Sequence, residues 1–176
     1  MTTRKSYLVS LTLLFAMLLL MTTACSATVK EIPLGATQVN EIESITYKGQ
    51  GGSSDFLYSE NWYWEKNPAF PLDQEDAADA IQRLENITVV EQLAEIENLV
   101  DYGLRRPDYT ITLNAKDGTS KTILIGSETE EDHFYATDET KEVVYVIDGE
   151  IEDALEFLEE TLTQIYLLDS ISSPTQ

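Results

Sequence analysis

Cysteine occurs once in the 176 residues, and histidine once. A single thiol cannot close an internal disulfide, so no disulfide framework holds this fold. It excludes a multi-thiolate metal site for the same reason. The lone histidine, His133, excludes a multi-histidine zinc centre, and a catalytic triad around it needs a placed nucleophile. Basic residues are scarce too: 11 Lys and Arg stand against 32 Asp and Glu, a net charge of −21. A surface of that sign repels nucleic acid and anionic lipid headgroups. It keeps a domain soluble, and it also suits a cationic partner or divalent ions. Stability must come from an apolar core, and the chain is long enough to bury one.

The one long apolar run sits at the start. Arg4 and Lys5 precede it, and from Tyr7 to Met21 only Ser10 and Thr12 are polar. Thr22, Thr23 and Ala24 follow, then Cys25. A charged start, an apolar stretch and small residues are the layout of a secretory signal. The run is short for a membrane span, which needs about 20 residues. The stretch Met21-Thr22-Thr23-Ala24-Cys25 resembles a bacterial lipobox, with Thr22 where the typical motif has Leu. The resemblance implies a diacylglyceryl group on the Cys25 thiol, cleavage before Cys25, and acylation such as palmitate on the new amino group. The chemistry needs a thiolate, which explains a single cysteine at this position. An ordinary secretory signal with a stray cysteine and a retained single-span anchor are the alternatives. Two or more acyl chains hold a protein durably, at about 0.8 kcal/mol per buried CH2.

Without the signal, nine basic residues face 32 acidic ones, a charge of −23. The expected organisation is a signal peptide over 1–24, a lipidated cysteine and flexible tether over 25–41, one domain over 42–168 and a disordered tail over 169–176. The tether mixes small, polar, Pro and Gly residues without a period. The tail, "DSISSPTQ", is polar and contains a proline.

The domain opens with a strand pattern over Ile42–Tyr47, broken by a loop at "GQGGSS". "DFLYSENWYWEK" alternates aromatics on either side of "SEN" and reads as a hairpin. "NPAFPLD" is expected to be extended, because each proline disfavours the helical region before it. Asp73 stands as an N-cap to a helix over Gln74–Leu84, with Ala77, Ala80, Ile81 and Leu84 on one stripe. "NITVVEQLAEI" fits a strand through Ile87 and Val89, or a helix through Val90, Leu93 and Ile96. "NLVDYGL" reads as a helical turn ended by Gly103. Two hairpins follow. One joins Tyr109–Asn114 to Lys121–Ile125 across Asp117-Gly118 and closes at Gly126; the other joins His133–Ala136 to Val143–Ile147. Ile151, Leu155, Leu158, Leu162 and Ile165 then mark an amphipathic helix over Ile151–Tyr166. The fold class is α+β: an antiparallel sheet of hairpins and a meander, with about two amphipathic helices packed on one face, after a lipoprotein signal peptide.

Four stretches carry a family resemblance: "NWYWEKNPAFPLDQ", "YGLRRPDYTITLNAKDGTSKTILIG", "DHFYA" and "EVVYVID". They resemble the bacterial domain-of-unknown-function family four-three-four-zero, in particular members from clostridia-like Gram-positive bacteria. The likeness runs from about Ile42 to Leu162, and Tyr102–Pro107 with the following hairpin is its most specific part. A tryptophan shortly before a proline is the family's other mark, and Trp62 and Trp64 both precede Pro68. At Arg105-Arg106 the chain departs from the pattern, where an acidic residue is common. The resemblance implies a cell-envelope setting and an association with ABC-type transport systems. It brings no catalytic residues.

No nucleophile and base pair is apparent, so an enzyme is not expected, and neither is a cofactor or a metal. His133 reads as a surface strand residue. The loop with Glu128, Glu130, Glu131 and Asp132 lacks the glycine-punctuated spacing of a calcium loop and reads as a solvated turn. The candidate binding surface is Trp62, Tyr63, Trp64, Phe70, Arg105 and Arg106, the densest aromatic stretch plus the only adjacent basic pair after the signal. A tryptophan packed beneath a helix as core is the plainer reading of those rings. Two functions remain. The first is a noncatalytic interaction domain, lipid-anchored on the extracytoplasmic face of the cell membrane, docking on an envelope protein such as an ABC-type transport component. The second is a ligand-binding module that grips cell-wall sugar or peptide with the Trp62/Trp64 cluster.

Overall fold

The computed structural model describes residues 34, 42–93 and 98–172. Cys25, the signal, the tether apart from Leu34, Ile96 and the tail from residue 173 lie outside the described residues. Strand β1 is Ile42–Gly49 and strand β2 is Gly52–Tyr58, paired antiparallel with Gly49 opposite Gly52. The expected glycine loop is therefore only a two-residue turn, and β2 starts at once. Glycine makes this possible: Gly52 has φ of +133°, and a Cβ there would meet the Tyr166 hydroxyl at 2.3 Å. Strand β3, Trp62–Trp64, completes the expected hairpin.

The segment after β3 is not extended. Phe70 N–H donates to the Asn67 carbonyl at 2.9 Å, and Ala69 N–H donates to Asn67 Oδ1 at 3.2 Å. Pro68 presets the first central angle of this turn, and Asn67 braces it. The turn brings Phe70 edge-on to Trp64, with ring centroids 6.1 Å apart. Asp73 then caps helix α1, Gln74–Glu85, accepting from the N–H groups of Glu75 and Asp76. Ala77, Ala80 and Leu84 are buried along its inner stripe, and Ile81 is partly buried.

The ambiguous stretch resolves as strand β4, Val89–Leu93. Residues 98–104 form successive turns rather than a helical turn, with Gly103 N–H donating to Val100 O at 3.1 Å and Leu104 N–H to Leu99 O at 2.9 Å. Strands β5, Tyr109–Ala115, and β6, Ser120–Glu128, meet across the Asp117-Gly118 turn, where Gly118 has φ of +84°. Gly126 does not close β6, which runs on through an irregular register between Ile125 and Glu128. Strands β7, Phe134–Asp138, and β8, Val144–Ile147, form the next hairpin. A 3₁₀ turn, Gly149–Ile151, leads into helix α2, Glu152–Ser172, so the helix continues into the segment expected to fray.

The described residues make one eight-stranded sheet in the order β3-β2-β1-β5-β6-β7-β8-β4, with every neighbouring pair antiparallel. The fold class is α+β. Strand alternation splits its apolar residues between two faces. Ile45, Tyr47, Ile111, Ile123, Ile125 and Ile147 belong to a core shared with Ala77, Leu84, Leu155, Leu158 and Leu162 of the two helices. Leu124 and Val144, turned to the opposite face, belong to a smaller cluster covered by Leu104, with Leu99 and Tyr102 packed against it. Leu34 is buried in the main core as well, with 1% of its surface exposed.

One polar contact ties α2 to the sheet. The buried Tyr47 hydroxyl donates to Glu159 Oε2 at 2.5 Å, and Glu159 Oε1 accepts from Gly51 N–H at 2.9 Å. Burial first, and then the Glu159 carboxylate, hold the Tyr47 hydroxyl far above the usual tyrosine range. Burial also raises Tyr109 and Tyr145, with nearby carboxylates adding to each shift. Their unfolded counterparts ionise near pH 10 while the folded groups resist. The stability held by the neutral tyrosines is thus complete below about pH 10 and is lost as the pH rises beyond it. Urea midpoints measured from pH 8 to 11.5 should fall steeply only above pH 10, and Tyr47→Phe should flatten that fall. A flat profile would show that these tyrosines titrate normally.

Candidate functional site

The aromatic stretch is core rather than surface. Trp62, Trp64 and Phe70 retain 8%, 4% and 6% of their exposure. Both tryptophans point to the helix face because they sit two residues apart on β3, opposite Tyr58 and Phe56 of β2. Tyr63, between them, points away and is half-buried. The Gln74 side chain fastens the hairpin to the start of α1. Its oxygen accepts from Trp62 N–H at 2.8 Å, and its nitrogen donates to the Trp62 carbonyl at 2.9 Å. Stacking on open tryptophan faces, as the sugar- or peptide-binding reading requires, is not what this geometry offers. Ring exposure in this neighbourhood belongs to Tyr58, at 43%.

Arg105 and Arg106 are exposed, but the structure does not bring them to the tryptophans. They follow Leu104, which packs on the opposite sheet face from Trp62 and Trp64. Their loop is held by its backbone. Ser127 N–H donates to the Tyr102 carbonyl at 3.0 Å. Gly103, at φ of +71°, lies so close that a Cβ would sit 2.4 Å from Ser127 Oγ. A Cβ on Gly126 would sit 2.2 Å from the Tyr102 carbonyl oxygen. The two glycines that ended elements in the sequence pattern are thus the contact points of loop and sheet. Val100, Gly103, Arg105 and Arg106 line a shallow cavity of about 360 Å³. Val100 is half exposed beside the two guanidinium groups.

Two of the quoted stretches, the Trp62–Phe70 hairpin and turn and the Tyr102–Pro107 loop with its strand, are thereby the seams of the fold. A family model described as Domain of unknown function (DUF4340) matches residues 36–169. The chain belongs to this family. No curated protein and no solved structure matches it. The family description attaches no activity to the DUF4340 fold, so function has to be argued from this chain's own surface.

Elsewhere on the DUF4340 domain, Arg83 is engaged in structure. Arg83 pairs with Asp79 at 3.0 Å and Asp153 at 3.1 Å and donates to the Glu150 carbonyl at 3.1 Å, joining α1 to the start of α2. These partners raise its already high pKa, the Asp79 hydrogen bond most of all. At this exposure the pairs contribute little to stability. Beside them lies a cavity of about 320 Å³, whose one guanidinium is already committed to them. Among the described residues no group of three or more His, Cys, Asp or Glu gathers as a metal cage. His133 is not the surface strand residue expected: it is half-buried just before β7, with Nδ1 buried and unpartnered. Its backbone is engaged with Thr129 on both sides. A feature the sequence pattern did not single out lies between the β2–β3 hairpin and α1, where Tyr58, Glu60 and Glu85 line one cleft. Glu85 is 25 residues from Glu60 in the chain, so only the packing of α1 on the hairpin brings it to Tyr58 and Glu60.

Proposed function

We propose that this chain is a lipid-anchored protein of the extracytoplasmic face of the cell membrane, with a noncatalytic domain that docks on an envelope protein. Cys25, behind a charged and then apolar start, supports the anchor. An ABC-type transport component is the partner class, on the strength of the family resemblance. The observation that carries docking is the Arg105-Arg106 pair. It is exposed on a loop seated by backbone contacts, in a chain that is otherwise overwhelmingly acidic. Arginine is enriched at interfaces and carboxylates are depleted there. A rigidly presented pair also loses little entropy on binding. Anchoring raises the local concentration relative to membrane proteins, so a weak contact suffices.

Two measurements test this reading. Cys25→Ser should abolish lipid labelling and either release the domain or leave an unprocessed precursor. Unchanged processing and unchanged membrane extraction would sink the anchor. A photo-crosslinker at Arg105 in living cells should capture a membrane protein, and one at Glu130 should not. Capture at Glu130 with none at Arg105 would move the contact to the acidic side of the molecule. The half-buried Tyr63 is a second probe position, and capture there alone would favour the hairpin.

A further inference from the structure

The cleft between the β2–β3 hairpin and α1 has a volume of about 580 Å³. That is within the range of small-ligand sites. Its walls are of two kinds. Tyr58 and Trp62 form one, directly opposite each other across the hairpin, with ring centroids 5.3 Å apart and planes at 47°. Ala78 and Ile81 of α1 give an apolar floor. Glu60 and Glu85 bring carboxylates from opposite sides, against the single ammonium of Lys116. The site does not need to be assembled on binding. Gln74, hydrogen-bonded to both backbone groups of Trp62, locks hairpin to helix.

We infer that this cleft binds a small organic cation, an ammonium group on a short apolar body. Tyr58 is 43% exposed, and ammonium groups are attracted to aromatic ring faces. Ala78 and Ile81 offer apolar surface to the body. The two carboxylates outnumber the resident ammonium and select against anions. Glu85 fits this role further: burial raises its carboxyl above the usual range, with no neighbouring cation among the causes of the shift. A bound ammonium would offset that unfavourable desolvation. A sugar without an amine would leave the carboxylates unmatched, and a carboxylate-bearing peptide would be repelled. The inference is independent of docking through Arg105, which lies against the other sheet face.

The test is intrinsic fluorescence, because Trp62 forms part of the wall. Cadaverine and choline are titrated into the whole folded domain, with 1-pentanol as the neutral counterpart. The expected result is a saturating change with both cations and none with 1-pentanol. Tyr58→Ala and Glu85→Gln should each weaken the cation response at least tenfold, with melting midpoints near wild type because both side chains are partly solvated. Arg105→Gln should leave it unchanged, which separates this result from the fate of the docking reading. A response shared by 1-pentanol would overturn the inference in favour of a merely apolar groove. So would no saturating response at all, or a response untouched by Glu85→Gln.

Discussion

Gly126→Ala is expected to destabilise the domain by about 3 kcal/mol, and to lower its melting midpoint by about 10 °C. The reason is steric. The added Cβ would lie 2.2 Å from the Tyr102 carbonyl oxygen and 3.0 Å from the Gly103 carbonyl carbon. Both are backbone atoms and cannot swing aside as the end of a side chain would. The loop has to lift from β6. Lifting breaks the Ser127-to-Tyr102 hydrogen bond and uncovers Leu124 and Val144 by removing Leu104. Gly118→Ala is the instructive comparison. Gly118 has nothing within 4 Å of its would-be Cβ but has φ of +84°. Its substitution tests backbone strain alone and should cost about 1 kcal/mol. Gly126 is not among the positive-φ residues, so its substitution tests close approach alone. Equal midpoints for Gly126→Ala and wild type would show that the Arg105 loop is not seated as described. If the loop does lift, the crosslink from position 105 should weaken in the same variant, because the loop is no longer presented in one orientation.

The contrast between those glycines explains where the sequence pattern informs and where it stops. The β5–β6 hairpin is readable because its two determinants are local: alternation along each strand, and Asp117-Gly118 between them. Helix α2 and the 3₁₀ turn before it are readable for the same reason, since Ile151, Leu155, Leu158, Leu162 and Ile165 recur at helical spacing and all are buried. The Asp73 cap is local too. What depends on distant partners is not readable. Val89–Leu93 alternates weakly and becomes a strand because β8 lies beside it, more than 50 residues later. Gly126 looks like a terminator because glycine usually is one, whereas it serves as the landing place for residues 102 and 103. The tryptophans form a dense aromatic stretch either way. Whether such rings face solvent or core is decided by α1 and the Asn67–Phe70 turn folding over them. The same packing forms the cleft, so its carboxylates could not be picked out from 32 acidic residues beforehand.

Leu34→Ala is expected to lower stability by about 3 kcal/mol, as for other fully buried leucines. Nothing in the surrounding sequence suggests such an effect. Leu34 stands between Pro33 and Gly35, in a stretch whose mixture of small and polar residues reads as tether. A single apolar residue has no period, so no pattern separates an anchor point from a linker. The structure nevertheless buries it in the main core, the cluster that also holds residues from the sheet and both helices. The measurement is a urea midpoint for Leu34→Ala against wild type. The more severe Leu34→Asp should also be tested, because burying its carboxylate is costlier still. Midpoints equal to wild type in both would mean that the core does not use this side chain. The consequence reaches the proposed docking. A chain free from Cys25 to residue 41 spans about 50 Å when extended, whereas one pinned at Leu34 spans about 30 Å. With the Cys25 anchor proposed above, pinning would hold the domain nearer the membrane and raise its effective concentration there. Releasing Leu34 should then weaken the Arg105 crosslink by more than the unfolded fraction accounts for. A crosslink yield that follows the folded fraction alone would show that tether length does not set the contact.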